Sequence, residues 1–78
     1  MDNFTYTIEQ NLGILSQSNQ GWTKELNVIS WNGHPAKYDL REWSPEHDKM
    51  TKGITLTPQE MRLLQAAIAT IEIATPAE

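Results

Sequence analysis

Lys37-Tyr38-Asp39-Leu40-Arg41-Glu42-Trp43, followed after a short polar turn by Lys52-Gly53-Ile54-Thr55-Leu56-Thr57-Pro58, is the stretch on which the fold reading turns. The first segment alternates its side chains with the period of a strand. The second is a short strand that runs straight into a helix start. Thr57 suits an N-cap, Pro58 suits the first helical position, and Glu60 completes a capping box.

Upstream, two further turn signals divide the chain evenly. Ser18-Asn19-Gln20-Gly21 is one, and Asn32-Gly33-His34-Pro35 is the other, Asn-Gly being a strong hairpin cue. Ser44-Pro45-Glu46-His47-Asp48 separates the two segments quoted above. Strands are therefore expected over about 5–16, 22–31, 36–43 and 49–56, with Gly13 marking a bulge or bend in the first. Short connections favour an antiparallel meander.

Downstream, a helix is expected from Pro58 to about Ile73. Met61, Leu64, Ala67, Ile68 and Ile71 form one apolar stripe, which Leu63 and Ala74 widen. One face of a small sheet covers only part of that stripe. The remainder, with Ile73, calls for another surface, and a second copy of the chain meeting it through Met61, Leu64, Ala67, Ile68 and Ile71 would supply one. The expected class is α+β: a four-stranded antiparallel sheet followed by one C-terminal helix, a single domain over 1–78.

Composition narrows the chemistry. At 78 residues there is room for one core, and the absence of cysteine excludes disulfides and thiolate metal sites. No apolar run is long enough to span a membrane, and Met1-Asp2-Asn3-Phe4 does not read as a signal peptide. The histidines, His34 and His47, lack zinc spacing, so neither a metal nor a cofactor is expected. Asp39 and Glu42 are three apart on a strand and face opposite ways, which rules them out as an acid–base pair. With no Gly-rich phosphate loop either, the chain reads as a non-enzyme. Its formal charge is −4, yet five of its six cations lie between Lys24 and Lys52, matched there by five acids. The charges must therefore be sorted by strand face.

Alternation places Tyr38 and Leu40 on one side of the third strand, and Lys37, Asp39, Arg41 and Trp43 on the other. In the second strand Leu26 and Val28 match the Leu40 side, taken as the core with Ile54 and Leu56. Asn27, Ile29 and Trp31 fall opposite. One sheet face, away from the helix, should then offer Ile29, Trp31, Lys37, Arg41 and Trp43, with Lys24, Lys49 and Lys52 nearby. Flat rings threaded by cations suit unpaired bases and phosphates. Trp22 shares parity with Leu26 and reads mainly as core; for the cations the alternative to phosphate contact is a solvated surface, where ion pairs of Lys37 or Arg41 with Asp39 or Glu42 carry little weight.

Asp39-Leu40-Arg41-Glu42-Trp43, then Lys52-Gly53-Ile54-Thr55-Leu56-Thr57-Pro58-Gln59-Glu60 and an apolar helix, resembles the positive cofactor four family of transcriptional coactivators. Gly21-Trp22-Thr23-Lys24-Glu25-Leu26-Asn27 and Ser30-Trp31-Asn32-Gly33 are similar to its small prokaryotic members of the YdbC type. The resemblance covers about residues 5–73. It implies a curved sheet, a homodimer through the helices, and binding of single-stranded DNA with little sequence preference. By position, Arg41 matches the family's strand arginine, Lys52 the basic residue before glycine, and Trp31 a stacking aromatic. Trp22 and Lys24 lie in the subgroup's second-strand motif. The family's tandem aromatics are here Trp43 followed by Ser44, and its basic, serine-rich regulatory arm is missing.

Together these readings predict a nucleic-acid face of Trp22, Lys24, Ile29, Trp31, Lys37, Arg41, Trp43, Lys49 and Lys52, in a cytoplasmic, nucleoid-associated homodimer. RNA stays open as a ligand, because stacking and phosphate contacts ignore the 2′-hydroxyl. The acidic balance keeps a different class open as well: a protein-interaction or coactivator module for transcription or replication proteins.

Overall fold

Strand alternation and turn chemistry produce the expected meander. A computed structural model describes residues 4–73 of the chain. Four strands, β1 (Tyr6–Gln17), β2 (Thr23–Trp31), β3 (Lys37–Trp43) and β4 (Ile54–Leu56), pair antiparallel in the order β1-β2-β3-β4, and α1 (Pro58–Ile68) follows. Asn32 and Gly33 both take positive φ, at 51° and 76°, and the His34 amide donates to the Trp31 carbonyl at 2.8 Å. That is the primed turn whose twist matches a hairpin. Gly21, at φ 87°, closes the first hairpin by donating to Ser18. β1 carries three register shifts against β2, one of them between Asn11 and Gly13, where a bulge was expected.

Register shifts of this kind bend a strand and increase its twist, and the sheet is curled on itself. Arg41 pairs with Glu25, and Trp31 lies six residues further along β2, about 20 Å in a flat strand. Yet the Arg41 guanidinium sits 4.6 Å from the Trp31 ring centroid. Tyr6, opposite Trp31 at one end of the sheet, packs its tilted ring 5.4 Å from Trp43 at the other. Only a concave face folded inward brings these groups together.

Curvature also reverses the expected burial of the two faces. Ile29 and Trp43 are 0% exposed, as are Asn27 and Asp39 beside them. The Leu26, Val28, Tyr38 and Leu40 side is only half-buried, and Ile54 is exposed. The strand alternation is as expected, but the Leu26, Leu40 and Ile54 side expected to form the core is the less covered one. Large side chains at the concave rim (Tyr6, Trp31, Arg41, Trp43) and the 44–50 loop roof over their smaller neighbours. The helix meets the sheet only at β3 and β4.

Two boundaries differ from expectation. Met50 makes an isolated bridge to Trp43, and β4 proper begins at Ile54, because Thr51 and Gly53 lie against β3 without strand pairing. The helix ends at Ile68 and not near Ile73. Thr70 bonds back to the Ala67 carbonyl through both its amide and its hydroxyl, and Ile71 to that of Ile68, a tight turn that unwinds the helix. Its start is as expected: Thr57 and Glu60 exchange the reciprocal bonds of a capping box. Ala74 lies outside the described residues.

Candidate nucleic-acid interface

Two surfaces gather the predicted residues. The first is the concave rim. Trp31, partly exposed at the end of β2, leans on Phe4 at 5.7 Å and Tyr6 at 5.7 Å, with the Arg41 guanidinium against its ring. Lys37 is exposed on this same side, paired with Ile29. Arg41 itself is largely enclosed. Its Nε and Nη2 donate to both oxygens of Asp39 at 2.6 and 2.7 Å, and Nη1 donates to the Thr51 carbonyl at 3.3 Å. Asp39 also accepts from the Thr55 hydroxyl at 2.9 Å. The pair read as a weak surface contact is thus a buried, forked ion pair.

Gly53 explains part of the Lys52-Gly53 motif. A Cβ there would overlap Arg41 Cβ and stand 2.5 Å from the Leu40 carbonyl oxygen. Only glycine lets the chain entering β4 lie directly on Arg41.

The second surface is a shallow groove reaching the Leu40 side, where Lys24 and Lys52 flank Leu40, Arg41, Glu42, Thr51, Gly53 and Ile54. Cross-strand pairing of Lys24 with Glu42 fixes one wall, and the chain returning over Gly53 supplies the other. Trp22, partly exposed, sits two residues from Lys24 and donates its amide to the Ser18 hydroxyl at 3.1 Å. Lys49 is exposed on the 44–50 loop, outside the groove lining. Sequence reasoning put these cations on one face; the structure leaves Lys37 at the concave rim and Lys24 and Lys52 at the groove, with Arg41 reaching both and Lys49 outside the groove lining.

Ile29 and Trp43 must be removed from the expected contact face, because both are fully buried. Trp43 lies between Tyr6 and a stacked His47 ring at 5.6 Å, and neither its indole N–H nor that of Trp31 has a protein acceptor. Under this roof runs a polar network that sequence reasoning missed. Glu25 accepts from the Thr23 hydroxyl and from Asn27 at 3.1 Å, and lies 2.8 Å from His47 Nε2. Asn11 donates to Asn27 at 2.7 Å, and Tyr6 donates its hydroxyl to the His47 carbonyl at 2.6 Å. Burial pushes the Glu25 carboxyl up, but the bonds from Thr23, Asn27 and His47, with His47 charge, hold it below its ordinary 4.5. The signal for this network was present: Glu25 and Asn27 share parity with Ile29.

The proposed interface residues of the helix are poorly covered by the chain itself. Met61 is half-buried, Ala67 is exposed, and Leu64, Ile68 and Ile71 are 40%, 48% and 58% exposed. Among the described residues there is no cluster suited to a metal ion, and no helix is long and apolar enough to cross a membrane.

Fold and surfaces define a class: a small β4α module with an aromatic rim, a lysine-flanked groove and an uncovered apolar helix. The family model described as Transcriptional Coactivator p15 (PC4) matches residues 18–67, from the first turn through most of α1. An uncharacterized protein of Treponema pallidum (strain Nichols) is 53% identical over 64 residues, 82% of this chain and 75% of that protein. The chain belongs to the PC4 family. Membership suggests nucleic-acid binding or a coactivator role in place of catalysis.

Proposed function

We propose that the chain binds single-stranded nucleic acid with little sequence preference, as a homodimer joined through α1. The observation that carries this reading is Trp31: a large ring left partly open at the concave rim, backed by two aromatics and a guanidinium. Base–aromatic stacking is worth about 1–3 kcal/mol per base and tolerates any base. Phosphates would meet Lys37 beside that ring, Lys24 and Lys52 along the groove, and Lys49 on its loop, with Trp22 as a second ring near Lys24. The uncovered apolar stripe of α1 supports the dimer, since large exposed apolar patches mark interaction sites. Such a module would act in transcription, replication or repair among nucleoid proteins.

A coactivator that binds protein first is favoured by one observation: Leu12, Ile14 and Leu15 are exposed together on the edge strand β1 of an acidic chain. Titration of tryptophan fluorescence with oligo-dT and with a duplex of equal length separates the readings. Quenching by the single strand alone, weakening with a log–log salt slope of about −0.7 per phosphate contacted, is the expected result. No response to either nucleic acid would sink this reading and favour the protein-binding one.

A further inference from the structure

We propose that Asp39 and Arg41 are positioning residues for Trp31, and that the arginine does not serve as a phosphate ligand; this rests on the single-strand reading above. The geometry is a ladder. Thr55 holds one oxygen of Asp39, both oxygens of Asp39 hold the Arg41 fork, and the fork lies against the Trp31 ring at 4.6 Å. Asp39 is fully buried, and the Arg41 side chain is only 12% exposed. Two of the three guanidinium nitrogens point at a carboxylate of opposite charge, and the third is turned to the Thr51 carbonyl. Arg41 also lines the groove beside Lys24 and Lys52, yet its nitrogens are committed to Asp39, Thr51 and the Met50 sulfur, which leaves little donor capacity for an incoming phosphate.

What the fork does offer is a flat, rigid support. A guanidinium is planar and weakly hydrated, and it packs on aromatic faces as an ammonium does not. Anchored by Asp39, it blocks one side of the Trp31 indole and fixes the ring's tilt at the rim. Gly53 belongs to the same unit, since its missing Cβ leaves room for the Arg41 stem. The rim is then an electrically neutral stacking platform, and the lysines carry the charge.

The test is binding of labelled oligo-dT by fluorescence anisotropy across a salt series, with full-length Arg41→Gln, Arg41→Lys and Asp39→Asn. Each is expected to weaken binding roughly five- to tenfold, loosening the stacking ring without removing it, while the salt slope stays at the wild-type value. Lysine should not rescue, because it cannot make the fork. If Arg41 met a phosphate, Arg41→Gln would reduce the slope by about 0.7, Arg41→Lys would restore it, and Asp39→Asn would tighten binding by freeing the charge. Any of those results overturns the proposal. So does unchanged affinity in folded variants, which would leave the ladder a purely structural feature. A lone buried charge can unfold a small domain, so the neutral double variant Asp39→Asn/Arg41→Gln and the milder Thr55→Val are measured alongside, with the same expected signature at smaller amplitude for Thr55→Val. Wild-type protein that binds no oligo-dT at any salt would instead remove the single-strand reading itself, in the same experiment.

Discussion

The two faces of this sheet solve opposite problems. The concave face carries polar residues, Glu25, Asn27 and Asp39, and buries them completely, each hydrogen-bonded within the chain. The convex face and α1 carry Leu40, Ile54, Leu64 and Ile68, and leave them half-covered or open. The concave interior thus mixes polar groups with the apolar core of Ile29 and Trp43, while much of the remaining apolar area lies outside, against the usual distribution. The concave side is complete in one chain, held by a curl that brings partners of opposite character together. The convex side is incomplete, and its uncovered apolar area is where an outside partner would be stabilising. Such a distribution separates residues that maintain the fold from residues that meet something else.

The comparison can be broken most severely at Trp43. Trp43→Ala should cost about 3–5 kcal/mol by removing the centre of the concave stack, enough to unfold most of a domain this small. A thermal melt close to wild type would show that the concave face is not the core. Leu64→Asp with Ile68→Asp attacks the other face. We expect the intrachain fold to survive by circular dichroism, while sedimentation shifts from dimer to monomer. Loss of the fold instead would mean that the convex face is not independent of the concave one.

Gly53→Ala sharpens the boundary between them, since its Cβ would overlap Arg41 and the Leu40 carbonyl. The expected loss is about 1–3 kcal/mol, read as a lowered denaturant midpoint. Acid probes the Glu25 network. Its folded pKa lies below the ordinary 4.5, so the native state binds fewer protons than the unfolded one just below that value. The stabilisation is therefore full above the ordinary glutamate range and lost as pH falls through the depressed folded value. Melts from about pH 6 down to about pH 3 should show this fall, and Glu25→Gln should flatten it. The smallest effect is expected at the groove: Lys24→Ala or Lys52→Ala should change stability by less than about 0.5 kcal/mol. Each should nonetheless reduce the oligo-dT salt slope by about 0.7 if it meets a phosphate.

Much of the fold was legible because its signals are local. Thr57, Pro58 and Glu60 announce the helix start within four residues, and Asn32-Gly33 announces the hairpin within two. The helix end was less legible, because it is set by back-bonding from Thr70 and Ile71 that no cap residue signals. The candidate site divided in the same way. Trp31, Lys37, Lys24 and Lys52 could be named as accessible rings and cations from parity and composition. Ile29 and Trp43 were misplaced, because parity tells which residues share a face but not which face is covered.

By itself, then, the sequence determined element order, strand alternation, the capped helix and an apolar stripe too wide for one small sheet, all consequences of neighbour-to-neighbour chemistry. Tertiary structure alone decided that Asp39 and Arg41 form a buried fork under Trp31, that His47 roofs Trp43, and that Lys37 is set apart from the groove of Lys24 and Lys52. The physical reason is curvature. Three register shifts in β1 accompany the bend of a sheet in which Glu25 and Trp31 would otherwise lie about 20 Å apart along β2, and only that accumulated bend brings residues distant along the strands into contact.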